Sequence, residues 1–165
     1  MIVNSRTWER LDARLKATIA RFQAKPPVDL RGLARALGVP VKAATLPPNI
    51  SGEIRPDEDG GYLIRVSRHD SPGRQRFTVA HELAHYILHR RLIGNGITDD
   101  ALYRSNQSDS VEAEANRLAA DILMPADLVN ERRMALKRIG VADLTGSLAE
   151  TFEVSPTAMS IRLES

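Results

Sequence analysis

Hydrophobic positions along the chain change their spacing from one stretch to the next. Between Ser5 and Lys25, Trp8, Leu11, Leu15, Ile19 and Phe22 recur at three- and four-residue steps, which predicts one amphipathic helix. PPVDL interrupts that pattern, and Asp29 is placed to cap a short second helix ending at Gly38. The spacing then shortens. VPVKAATL reads as a strand, and SGEIR and GYLIRVSR, joined by the turn-rich PDEDGG, read as a hairpin. In its second arm Tyr62, Ile64 and Val66 alternate with Leu63, Arg65 and Ser67, the pattern of a half-buried strand. A helical period returns at Ser71-Pro72, a cap followed by proline at the first helical position, and continues to about Arg90. The polar connection GNGITDDALYRSNQSDS comes next, and its length marks a functional loop. Helices are expected at 111–124, ended by Pro125, and at 126–138, 142–152 and 156–163. Helices, a small sheet, then helices again make an α+β fold, with a small antiparallel or mixed sheet packed with helices. Residues 1–138 are read as the main domain and 139–165 as a helix-turn-helix-like segment packed on the same core.

Composition narrows the chemistry. The chain of 165 residues, 42% hydrophobic and 27% charged, can bury a core without covalent staples. It has no cysteine, so disulfides and thiolate ligands or nucleophiles are excluded, and any metal must be held by His, Asp or Glu. With 23 basic and 21 acidic residues the net charge is +2, too even a balance to indicate nucleic acid. Charges interrupt the amino-terminal stretch every few residues, which argues against a signal peptide. No segment approaches the roughly 18 apolar residues of a membrane span. The expectation is a soluble, cytoplasmic protein with no membrane partner.

Residues 77–89 read FTVAHELAHYILH. On a helix, His81 and His85 lie one turn apart on one face and can aim two imidazoles at one ion. Glu82 is offset by about 100° and stays close enough to reach a water held there. Metal-assisted hydrolysis needs such a set: zinc lowers the pKa of water to about 7, and a carboxylate takes the proton. Phe77, Ala80, Ala84, Ile87 and Leu88 are expected to form a separate apolar stripe against the core. The five-residue motif alone also arises by chance. A catalytic zinc site requires a third protein ligand and one open position.

VEAEANRLAADILMP offers that ligand. Glu112, Ala115, Asn116, Ala119 and Leu123 share one helical face, with alanines that allow another helix to come close. Glu114 lies about 200° away from Glu112. It shares its side with Arg117 and Asp121, which read as a solvated charged stripe. Glu112 is therefore preferred over Glu114, and Asn116 is placed to hydrogen-bond a ligating histidine from behind.

Together SPGRQRFTVAHELAHYILHR, EAEANRLAADILMP, DLRGLARALGVPV and SGEIR resemble the ImmA/IrrE family of zinc metallo-endopeptidases, a gluzincin-like group. The resemblance covers most of residues 28 to 125, and FEVSPTAMSIRL is similar to the family as well. It implies a zincin-like fold with the motif on a central helix. It implies zinc held by His81, His85 and Glu112, with Glu82 as general base. It also implies a narrow substrate class, a helix-turn-helix transcriptional repressor whose cleavage induces stress or mobile-element genes. Ala84 stands where many relatives have glycine, a mild change within a helix. Because the sequence ends soon after its C-terminal helices, the additional sensory domain of some larger relatives is not expected here.

His89 extends the histidine stripe by a turn and is expected beside the metal rather than on it, since a fourth ligand would close the site. The spacing of His69 decides nothing. Tyr62, Tyr86 and Tyr103 are candidates to stabilise an oxyanion. The strand of residues 62–67 is read as a backbone template for the substrate, with Tyr62, Ile64 and Val66 lining it and Tyr103 reaching in from the loop. LAETFEVSPTAMSIRL is helix-turn-helix-like, yet its second helix offers Thr157, Ser160, Arg162 and Glu164, only one of them basic, so direct DNA binding is not expected. The paired cations Arg132-Arg133 and Lys137-Arg138 read as a solvated face. The alternative to a peptidase is a non-catalytic zinc module that binds a repressor or DNA; Glu82 separates the two, because a structural site needs no base.

Overall fold

The computed structural model describes residues 1–100 and 109–165. The amino-terminal period yields two helices rather than one: α1 (Arg6–Glu9) and α2 (Ala13–Arg21). The break has a local cause. Asp12 takes an extended conformation and its side chain accepts a hydrogen bond from the Leu15 amide, starting a new helix in mid-pattern. Next, α3 (Leu30–Leu37) is capped by Asp29 and closed by Gly38 at φ 75°, the left-handed geometry a glycine supplies at no cost.

Four strands follow the order β1-β3-β2-β4: β1 (Val41–Ala44), β2 (Ile50–Pro56), β3 (Tyr62–Ser67) and β4 (Ile97–Asp100). The β2–β3 hairpin is antiparallel, β1 joins β3 in parallel, and β4 joins β2 antiparallel, so the sheet is mixed. This places β3 in the interior, between β1 and β2. Leu63, Ile64, Val66 and Ser67 are all buried, so both faces of the strand are covered, not one. The alternation of Arg65 with apolar neighbours misleads because Arg65 is only partly exposed and bonds Glu53 on β2 through Nε, at 2.7 Å.

The long helix α4 (Pro72–Leu88) begins at Ser71, whose hydroxyl accepts from the Arg74 amide, with Pro72 in the first turn. It lies against β2 and β3. The approach is closest at Gly52, where a Cβ would stand 2.3 Å from Thr78 Cγ2 and 3.0 Å from the Arg65 carbonyl. A side chain there would push the helix off the sheet one turn before Glu82. A 3-10 turn (Arg90–Leu92) follows. Then come α5 (Asp109–Leu123), α6 (Ala126–Arg138), α7 (Leu144–Phe152) and α8 (Pro156–Leu163), with α5 packed against α4. Leu148, Ala149, Phe152 and Met159 of the last two helices lie in the same buried cluster as Ala80, Leu83 and Ala84 of α4. Among the described residues no helix is long and apolar enough to cross a membrane.

Three polar groups hold the periphery together. Arg162, buried on α8, donates to the carbonyls of Met124 and Val3 and to Asn4 Oδ1, and pairs with Asp121 of α5 at 3.1 Å. Asp121 in turn accepts from the amide and hydroxyl of Ser5. Burial raises the Asp121 carboxyl above its usual range, against Ser5 and Arg162, and lowers the Arg162 guanidinium, against Asp121. Neither residue is on a solvated face. The Glu114 stripe therefore stops before Asp121, and the one cation of α8 points inward.

A candidate metal centre between α4 and α5

His81 and His85 project from one face of α4, both buried, and Glu112 projects from the first turn of α5. An acidic residue is favoured there by the helix dipole. The three meet. His81 Nε2 lies 3.1 Å and His85 Nε2 3.0 Å from the two Glu112 oxygens, and the two Nε2 atoms are 3.2 Å apart. Four-coordinate zinc with ligands at about 2.0–2.2 Å separates those ligands by roughly 3.3 Å, so the triangle fits one ion after a shift of a few tenths of an ångström. Two neutral imidazoles and one carboxylate also form a donor set that catalytic zinc uses. Among the described residues these three are the group of His, Asp or Glu that converges closely enough to hold a metal. Glu114 stays outside it, with its side chain 41% exposed against 13% for Glu112.

Glu82 follows His81 directly and is fully buried. Burying an ionisable carboxyl is expensive unless its surroundings compensate. Its place beside the ligands sets it apart from the surface glutamates of the chain.

The support behind the ligands comes from a different residue than expected. Asn116 is exposed on α5, and no hydrogen bond joins it to either histidine among the described residues. His89, buried at the end of α4, instead sets its Nδ1 3.0 Å from His85 Nδ1. Metal ligation through Nε2 requires the His85 proton on Nδ1, so His85 donates to His89. His89 then carries its own proton on Nε2, which faces Glu114 Oε1 at 3.6 Å. Burial and then the neighbouring His85 hold the His89 imidazole below its ordinary value, against Glu114 and Glu112. The signal was in the sequence as a third histidine at four-residue spacing. His89→Ala is expected to weaken zinc binding by about 10–100-fold, the usual cost of an outer-shell loss. His89→Asn, which keeps an acceptor near the Nδ1 position, should recover most of it. Competition with a chromogenic chelator measures both, and equal affinities in wild type and the alanine variant would show that this bond does not orient His85.

Phe77 packs, partly buried, against the core as the stripe predicts, and it has a second role. It stacks on His81, with ring centroids 6.2 Å apart and planes 24° apart, and the Arg74 guanidinium lies over the same ring, 5.9 Å from its centroid. Val79 and Leu83 join the core as well, beside Ala80 and Ala84. The arginines of the first turns, for which the sequence offers no reason, have partners across the fold. Arg74 Nε reaches Ser51 Oγ, and Arg76 donates to the Val28 carbonyl and faces Glu153 at 3.6 Å.

The residues read as a substrate template lie elsewhere. Ile64 and Val66 are buried in the interior strand, whose two edges are already paired, so no peptide can add to β3. Tyr62 packs edge-on against Tyr86, 5.6 Å between centroids, beside the 3-10 turn and away from the groove that reaches His81 and Glu112. Tyr86 hydroxyl meets the Leu37 carbonyl, a structural contact. His69 is exposed at the turn before α4 and outside the ligand triangle. Tyr103 lies outside the described residues.

A solved structure described as a Mycobacterium tuberculosis transcriptional regulator is similar in fold, with a TM-score of 0.59 and 19% identity. The match covers 96% of this chain and 48% of that one, so the chain spans about half the length of that solved protein. No curated protein matches the chain. The model of the M78 peptidase family, described as the IrrE N-terminal-like domain, matches residues 29–164, which takes in both helices of the metal centre and the C-terminal helices. By that match the chain belongs to the IrrE N-terminal-like peptidase family.

Proposed function

We propose that the chain is a zinc-dependent endopeptidase of narrow specificity, with a helix-turn-helix transcriptional repressor as its substrate. The observation that carries this reading is the convergence of His81, His85 and Glu112 beside the buried Glu82. Bound in such a site, zinc supplies Lewis acidity that polarises a carbonyl and brings the pKa of water to about 7. The chain's own groups do the rest. Glu82 removes the proton from the attacking water and passes it to the departing amine. His81 and His85 are held in position, one stacked on Phe77 and the other bonded to His89. The repressor substrate is supported by the family resemblance, and one solved structure of similar fold is itself described as a transcriptional regulator.

Co-expression with helix-turn-helix repressors, followed by mass spectrometry of their fragments, tests the reading. A repressor cut at one bond by wild type and left whole in the presence of a chelator supports it; repressors that all stay intact with zinc-loaded protein count against it. The ligand set has its own test. Glu112→Gln keeps the shape but replaces the anionic ligand with a neutral one, so dialysed protein is expected to hold well under one zinc per chain. Stoichiometric zinc with unchanged affinity would remove Glu112 from the site.

A further inference from the structure

The metal centre opens into a groove of about 1630 Å³ that runs from His81 and Glu112 to the amino-terminal segment and α8. That exceeds the roughly 300–1,000 Å³ of small-molecule sites and suits a length of polymer. Its far wall is basic. Arg6 and Arg10 stand one turn apart at α1, and Arg117 of α5 reaches the Thr7 hydroxyl between them, 3.5 Å away. All three are exposed, and among the described residues no carboxylate pairs with any of them. Arg162 and Asp121 nearby neutralise each other and add nothing to this wall. Val3 and Ile161, two of the few large apolar side chains left exposed, at 67% and 66%, line the same stretch.

We propose that this wall is the specificity surface of the site, and that it takes a segment of the substrate in which acidic side chains alternate with apolar ones. The inference rests on the peptidase reading for its direction, since the segment is held so that its chain continues to the metal centre. Acidic side chains meet Arg6, Arg10 and Arg117, and apolar ones cover Val3 and Ile161. A nucleic acid would also be drawn to three arginines. It is disfavoured here because Asp109 and Glu114 line the same groove and would repel a continuous phosphate backbone.

Two labelled synthetic peptides of equal length test the proposal, one alternating Leu with Glu and one alternating Leu with Gln, titrated into zinc-loaded Glu82→Gln protein so that nothing is cut. The Glu peptide is expected to bind at least about fivefold more tightly, a modest sum over exposed pairs, and to lose that margin as salt is raised. Arg6→Glu with Arg10→Glu should abolish or reverse the preference while zinc content stays the same. Arg117→Glu provides an independent variant if the double one melts early. Equal binding of the two peptides, or a preference that survives both variants, overturns the proposal, as does displacement of the Glu peptide by a duplex oligonucleotide at lower concentration. Failure of the peptidase reading is separate: acid-selective binding by protein that cleaves neither peptides nor repressors would leave the groove standing and remove the catalysis.

Discussion

Glu82→Gln is expected to keep zinc at wild-type stoichiometry and to lose about 100- to 10,000-fold in the rate of peptide-bond cleavage, the range that general acid–base catalysis contributes. The variant preserves volume and hydrogen-bonding capacity, so the α4 backbone and the His81–His85 spacing have no reason to change. What it removes is the capacity to accept a proton at a fully buried position next to the ligands. At about 1.36 kcal/mol for each factor of ten, the loss corresponds to roughly 3–5 kcal/mol of transition-state stabilisation. The experiment pairs metal analysis with the cleavage of a repressor that wild type cuts. A Gln variant that cleaves at the wild-type rate would discard Glu82 as the base. Zinc-loaded protein with no cleavage in either form, yet firm repressor binding, would favour the alternative of a zinc-stapled binding module.

The parts of the molecule that could be read in advance are those whose cause is local. Ser71-Pro72, Asp29 and Gly38 act within one helical turn, and the helices they delimit begin and end where the sequence places them. The hairpin is likewise specified by the residues between its arms. The approach of His81 to His85 follows from helical spacing, and Glu112 was preferred because Glu114 falls on another side of α5. The break at Asp12 is a local signal hidden inside the helical period, but most of the other errors depend on partners distant in sequence. Nothing within residues 62–67 says that β1 will occupy the second edge of β3, so the strand looked like a free template. Asp121 belonged by spacing to a charged stripe, and what makes its burial tolerable is Ser5 and Arg162, 116 and 41 positions away. Asn116 shares the groove with Glu112 and His81, yet among the described residues no hydrogen bond joins it to either histidine. His89 was placed near the metal but its bond to His85 depends on ring orientation, which spacing alone does not set. The basic wall joins α1 to α5 across more than a hundred residues, and no linear pattern announces it.

Arg162→Leu is expected to cost about 3–5 kcal/mol of folding stability, because it strands the Asp121 carboxylate in the interior. The side chains of the pair are 4% and 0% exposed, so water cannot take over the lost contact. The carbonyls of Met124 and Val3 lose their donor in the same step. For a chain of this size the cost corresponds to a fall in melting temperature of roughly 6–20 °C. Adding Asp121→Asn should restore part of it, since the uncompensated charge is gone while the Ser5 contacts can still form. The local consequence is as specific as the global one. Arg162 holds Val3 and Asn4 against α5 and α8, so the amino-terminal segment that carries Val3, Arg6 and Arg10 into the groove should exchange its amide hydrogens faster in the variant. His81 and Glu112 do not touch this network, and zinc bound to the folded protein should be unaffected. Thermal unfolding and hydrogen exchange together decide the matter: a variant that melts within a degree or two of wild type, with residues 2–10 equally protected, would show that Arg162 is an ornament of α8 rather than the tie that closes the groove wall.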